Sequence, residues 1–302
     1  MECLICGGKV FKPYYYPPNL FNNKTFSYHE CMSCHSAQIS PLPDDEDMRL
    51  MYGSNDHSYL LALKDGELLQ QNFIYPKYHH QGFQIKFFEK YNYKQFGNSL
   101  LDIGCGSGYY MQFAKTFGFS CYGIEFGSDF AKLLRAKTSL DIYSFEEFST
   151  QFPEGKQFDI IHLGHVLEHS TQPKAFIEGL KKYAHSNTLF IIDGPLEKNR
   201  CLSRFVIMCG SMLRRNKSNT YHPQHITFTN FKSQEIFFEK TGLTKINYEV
   251  AEQMFPFPSS LKDETFKNRL LFYLGRISIN LSKIIPGAGN VFHYAGKLNT
   301  KA

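Results

Sequence analysis

Leu100-Leu101-Asp102-Ile103-Gly104-Cys105-Gly106-Ser107-Gly108-Tyr109 is the stretch on which the fold turns. Leu100, Leu101 and Ile103 form a short apolar run of the kind that makes a buried parallel strand. Gly104, Gly106 and Gly108 then allow a tight turn and a close approach of backbone to a ligand. Tyr109, Tyr110, Phe113, Ala114 and Phe117 repeat at helical spacing, and Gly118 reads as the helix stop. A strand, a glycine turn and a helix N-terminus together make a nucleotide site at the carboxyl edge of a sheet. The spacing is G-x-G-x-G, not the dinucleotide G-x-G-x-x-G, and no Lys-Ser/Thr follows to make a P-loop. Asp102 puts a negative charge near the turn, which disfavours phosphate and suits a cation. The next apolar run, Cys121 to Ile124, ends at Glu125, about 20 residues on, where an acid takes ribose hydroxyls in such folds.

D-I-G-C-G-S-G followed by G-I-E resembles the S-adenosylmethionine (SAM) site of class I methyltransferases. Phe158 to His169, with Pro173 beyond, is similar to the fourth-strand segment of that family. His222-Pro-Gln-His225-Ile-Thr-Phe228 and Lys240-Thr-Gly242-Leu243 resemble a subgroup that modifies sugars, lipids or small metabolites. The resemblance covers about residues 98–302. It implies a Rossmann-like, doubly wound α/β fold, its sheet mostly parallel with an antiparallel last strand. It also implies cofactor contacts from Asp102, Gly104, Cys105, Gly106, Gly108, Tyr109 and Glu125. Phe126, Phe145 and Glu146 would lie about the adenine, and Leu163 would close the fourth strand beside it.

The 302 residues carry a formal charge of +5 and no tryptophan. That length suits one large domain plus a small one. No dense Lys/Arg run demands nucleic acid, so nucleic acid is not the expected partner. The first residues do not read as a secretory signal, and no apolar window reaches membrane length. A reducing, cytoplasmic location is expected, where cysteines are thiols or metal ligands.

Residues 1–40 read as a separate zinc-ribbon-like module. Cys3-x-x-Cys6 and Cys31-x-x-Cys34, across a 24-residue gap, can present four thiolates to one structural zinc ion. Ordinary thiols or a redox pair are the alternative. His29 and His35 are expected at the surface. Residues 41–97 form a linker and helical cover. The acidic cluster Asp44 to Asp47 marks a helix start, and 76–92 reads as one helix. Tyr52, Tyr59, His79 and His80 are candidates to face the ligand.

The methyltransferase-like part spans 98–302. Strands are expected at Ser99–Ile103, Ser120–Glu125, 140–143, Phe158–Leu163, Thr188–Ile192 and Leu243–Val250, with 290–295 as the antiparallel last strand. Ser128 and Thr229 are the expected helix N-caps. Residues 197–220 read as basic and loop-like around two apolar turns, with Arg200, Arg204, Arg214, Arg215 and Lys217 available to a phosphorylated or anionic substrate or forming a solvated basic surface. Residues 262–286 read as a helical insertion. Leu270, Leu271, Leu274, Ile277, Leu281 and Ile284 recur at helical spacing beside basic residues, which suits peripheral membrane contact through 268–286, a packed helix or a dimer surface.

Methyl transfer to a hydroxyl needs a general base, and histidine suits that role near neutral pH. His165, His222 and His225 are the candidates. His165-x-x-Glu168-His169 also matches a zinc-protease string, but it leaves a buried strand and not a helix. Glu168 and His169 stabilise the loop or hold a divalent cation. The expected function is methylation of a sugar or other small hydroxylated metabolite, including lipid- or nucleotide-linked forms. A non-catalytic zinc-ribbon adaptor and an RNA or protein methyltransferase are the alternatives.

Overall fold

The computed structural model describes residues 1–53, 82–152, 156–213, 223–253 and 265–298. Tyr59, His79, His80, Arg214, Arg215, Lys217 and His222 lie outside the described residues.

Two sheets carry the molecule. The larger has seven strands in the order β11-β12-β9-β8-β5-β6-β7. The middle strand of its five-stranded parallel part is β5 (Ser99–Ile103), flanked by β6 (Ser120–Glu125) and β8 (Phe158–Gly164). Outward lie β7 (Ile142–Ser144) and β9 (Ala184–Pro195), and all of these pair in parallel. The final strand β12 (Val291–Leu298) runs antiparallel between β9 and β11 (Leu243–Ala251). This is the mixed α/β architecture expected. Leu100, Leu101, Ile103, Ile160, Ile161 and Leu163 are fully buried, because helices cover both faces of the parallel strands.

Those helices are α3 (Tyr109–Thr116), α4 (Ser128–Thr138), α5 (Phe145–Gln151) and α6 (Pro173–Leu180), with α2 (Gly82–Tyr91) before the first sheet strand. Two expected caps are corrected. The cap of α4 is Gly127, with no side-chain bond, and Ser128 is already helical. The cap of α8 (Phe231–Glu239) is Asn230, not Thr229: Asn230 and Ser233 bond reciprocally as a capping box. Segment 197–220 is also corrected. It contains helix α7 (Leu202–Leu213): the two apolar turns join in one continuous, proline-free helix.

The smaller sheet has the order β1-β3-β4-β10, with β2 paired to β3. Its members are β1 (Phe11–Pro13), β2 (Asn19–Phe21), β3 (Lys24–Cys31), β4 (Ala37–Ser40) and β10 (Thr227–Phe228). It buries a core of its own, with Phe26, Tyr28, Ala37, Ile39, Ile226 and Phe228. Helix α1 (Asp45–Gly53) follows, its first turn acidic as the helix dipole favours. Lys24 and Asn22 hold the buried Asp47 at 2.7 and 2.8 Å. Strand β10 comes from the far part of the chain and completes this sheet by pairing with β4.

Candidate active site

At the end of β5 the chain turns through Gly104–Gly108 and enters α3. Gly106 has φ +51°, and a side chain there would meet no atom within 4 Å, so open space faces its backbone. Gly108, at φ +73°, is packed instead: a Cβ would come within 2.4 Å of Leu140 Cδ1. At Gly104 a Cβ would meet Val166 Cγ2 at 2.7 Å. The Glu125 carboxylate spans the next strand end, accepting from Gly106 N at 2.8 Å and from Phe126 N at 2.9 Å. Phe126 is 49% exposed. It forms an aromatic group with Phe145 at 5.5 Å and Phe176 at 6.2 Å. Phe176, from α6, was not among the residues expected about the adenine. Glu146 is exposed beside this group. Cys105, Tyr109 and Leu163 are buried, and Cys105 and Leu163 belong to the apolar core. Burial pushes the Cys105 thiol up and the Tyr109 hydroxyl up to about 12.

Asp102 is 2% exposed and turned along the sheet. It accepts from His162 Nδ1 at 2.7 Å, and His162 Nε2 lies 3.1 Å from Asp193. Asp193 in turn meets His293 Nδ1 at 2.5 Å, and His293 bonds Tyr93. The chain of bonds thus crosses β5, β8, β9 and β12. Burial alone would lower the His162 pKa, but Asp102 and Asp193 outweigh it and raise it to about 9 from 6.5. Asp193 is lowered from 3.8 to about 2, because its two histidines overcome burial. The raised histidine stabilises the fold fully below pH 6.5 and loses that contribution as pH rises through about 9. The depressed carboxyl contributes above pH 3.8 and loses it as pH falls through about 2. The network therefore stabilises most between these limits. At neutral pH the histidine's share is on the order of 3 kcal/mol. Thermal melts at pH 6 and pH 9.5 are expected to show a larger loss in the native protein than in His162→Gln.

Beyond β8, His165 takes φ +57° and donates its backbone N–H to Asp193 O at 2.9 Å. A short 3-10 turn, Leu167–His169, follows. Glu168 Oε1 lies 3.4 Å from His165 Nδ1 and 3.9 Å from His169 Nε2. Burial would raise the Glu168 carboxyl, but these imidazoles and His225 hold it at about 2. His169 and His225 meet edge to face at 4.8 Å. Donor atoms of Glu168, His169 and His225 all lie within 4.8 Å of one another, close enough to share a divalent cation. His225 Nδ1 contacts Glu197 Oε1 at 2.6 Å. Burial lowers the His225 pKa, but the Glu197 bond and charge prevail and the net shift is upward. His165 and His225 are thus brought into one cluster. Glu197 was not foreseen: nothing in the sequence linked it to a histidine 28 positions away.

Tyr52 of α1 contacts His169, their rings 6.2 Å apart. Burial first, then the charges of Glu168 and Glu125, raise its pKa. It therefore feels both the histidine cluster and the acid beside the glycine turn.

The small sheet supports the same cluster. Tyr28 donates its hydroxyl to His225 O, and Ile226 N donates to Glu168 O at 2.7 Å. At its other end, Cys3 and Cys34 sulfurs are 3.7 Å apart and those of Cys6 and Cys31 are 3.6 Å apart. All four lie within 4.8 Å of one another. A tetrahedral shell with Zn–S bonds of about 2.3 Å sets its sulfurs about 3.8 Å apart. Gly8 N donates to Cys6 Sγ at 3.3 Å, the kind of support a thiolate uses. The four cysteines therefore fit a zinc ion. The glycine turn fits SAM: Gly106 leaves backbone open beside Glu125, and exposed Phe126 offers a ring face for a base.

Residues 79–248, more than half of the chain, match the family described as methyltransferase domain. The tRNA U34 carboxymethyltransferase of Idiomarina loihiensis is 32% identical over 105 residues. That stretch is 32% of this chain, which spans about a third of that relative's length. A SAM-dependent methyltransferase structure from Archaeoglobus fulgidus shares 17% identity and a TM-score of 0.44, over 75% of this chain and 99% of that one. A structure of PigF with SAH shares 17% identity and a TM-score of 0.48, over 84% of this chain and 63% of that one.

Proposed function

Since the chain belongs to the methyltransferase-domain family, we propose that it methylates a hydroxyl of a sugar or other small metabolite, using SAM and His225 as the base. The observation that carries this reading is the Glu197–His225 pair, 2.6 Å apart, inside the cluster at the sheet's carboxyl edge. The cofactor, when bound, supplies an electrophilic methyl group on a sulfonium. Gly104, Gly106, Gly108 and Glu125 would hold it, with Phe126, Phe145 and Phe176 about its base.

Glu197 accepts the Nδ1 proton of neutral His225, which leaves Nε2 as the basic nitrogen. The same carboxylate then stabilises the imidazolium once the acceptor proton arrives. Displacement at a methyl carbon is chiefly a demand on orientation, so rigid support of His225 matters as much as its basicity. Tyr28 and the β4–β10 pairing supply that support. His165, beside Glu168, is the alternative base. The four cysteines would hold a structural zinc, making residues 1–40 a brace for the catalytic edge.

Calorimetric titration with S-adenosylhomocysteine tests the pocket. Glu125 fixes the glycine turn through two charge-assisted bonds to backbone N–H groups, and a carboxylate bond to a ligand hydroxyl is worth roughly 1.5–3 kcal/mol. Glu125→Ala is therefore expected to weaken binding by about tenfold or more. Equal affinity in both proteins would remove Glu125 from the site. The match to a tRNA-modifying relative favours an RNA acceptor as a second reading. Salt-dependent RNA binding would support it.

A further inference from the structure

Helix α9 (Phe266–Ile284) carries large apolar side chains on its exposed face. Phe266, Leu270, Tyr273, Ile277, Leu281 and Ile284 are 85, 53, 57, 50, 42 and 76% exposed. Their spacings of three and four residues place all six on one stripe, within an arc of about 80°. The opposite face turns inward: Gly275 and Ser278 are buried, Leu271, Phe272 and Ile279 are half-buried, and Ser278 donates to Glu252 at 2.7 Å. A helix packed for the core alone would need only the inward stripe, and its outer face would be polar. A continuous exposed apolar face marks an interaction surface.

Charge narrows the occupant. Arg269, Arg276 and Lys283 recur every seven residues and so run along one flank of the stripe, all exposed. The helix contains no Asp or Glu. A basic rail beside a Phe/Leu/Ile face, on a helix too polar to span a membrane, is the pattern that lies in a lipid interface. A self-complementary dimer seam would instead juxtapose each rail with another stripe of the same apolar and basic character, with no acid to answer it.

We infer that α9 docks this chain on an anionic lipid surface, with its stripe in the acyl boundary and its rail on the headgroups. The helix sits where this matters. It leaves the sheet after Ala251 and returns at Val291, and Val291 pairs with Pro195 at the carboxyl end of β9. Asn199, two residues beyond Glu197, donates to Gly287 O and Gly289 O at 2.7 and 2.8 Å. The lipid-facing helix is thus tied to the segment that orients His225.

Co-sedimentation of the full chain with vesicles tests it. Phosphatidylcholine vesicles containing phosphatidylglycerol are expected to bind the protein, pure phosphatidylcholine vesicles to bind weakly, and added salt to weaken binding. Ile277→Asp and Leu281→Asp change exposed positions, and each is expected to reduce partitioning by about tenfold or more. Arg269→Glu with Arg276→Glu should do likewise, while all variants keep native affinity for S-adenosylhomocysteine. Failure of the native protein to bind the anionic vesicles, or equal binding by the variants, would overturn the inference. So would a dimer in sedimentation velocity that the apolar variants abolish, with no binding to lipid; that result would assign the stripe to a second copy.

Discussion

His225→Gln is expected to lower kcat by about a hundred- to ten-thousand-fold, the range that a positioned general base supplies, while affinity for S-adenosylhomocysteine stays near native. The contact from Tyr28 is to the His225 carbonyl, so the substitution leaves the backbone anchor in place. Glu197→Gln gives a second, graded readout. Glu197 raises the His225 pKa, so its loss lowers that pKa. The acidic limb of the pH profile of kcat/KM should then move to lower pH, with a reduced plateau. A purely structural role for Glu197 would lower the plateau and leave the limb in place. Full activity in His225→Gln, with His165→Gln inactive, would transfer the base to His165.

Removing the thiolates at Cys31 and Cys34 by serine substitution is expected to unfold the small sheet and abolish activity together. Metal analysis should find one zinc per native chain and none in the double variant. Structural zinc contributes roughly 10–16 kcal/mol to isolated finger peptides, against a total domain stability of about 5–15 kcal/mol. Loss of the ion therefore exceeds what the small core of Phe26, Tyr28 and Ile39 can offset. The activity loss follows because β10 and His225 are held by that sheet. A double variant that keeps its melting temperature and its turnover would show that the cysteines brace nothing.

Much of the large sheet was legible. The strands Ser99–Ile103 and Ser120–Glu125 have the bounds expected of them, because doubly buried parallel strands write continuous apolar runs closed by turn residues. Strand β10 was not legible: two residues carry no periodicity, and its partner Gln38 lies far off in sequence. Glu197 was missed for the same reason, since only the fold brings it to His225. The Asp102–His162–Asp193–His293 chain did leave a trace. Each of these residues interrupts an apolar strand near one level of the sheet. A polar residue recurring at matched depth in successive buried strands has to find a polar partner there.

The pairing of β4 with β10 sets an order of events during synthesis. Tyr28 and His225 stand 197 positions apart. At ribosomal speeds of about 5–20 residues per second, the cysteine-bearing strands emerge many seconds before the strand that completes their sheet. Until then the edge of β4 is open, and an open edge invites pairing with other chains. Early capture of zinc would hold those strands together through the wait. Metal supply during translation would then govern the yield of properly assembled enzyme, and zinc-starved expression should divert the chain to aggregates before any mature protein can be assayed.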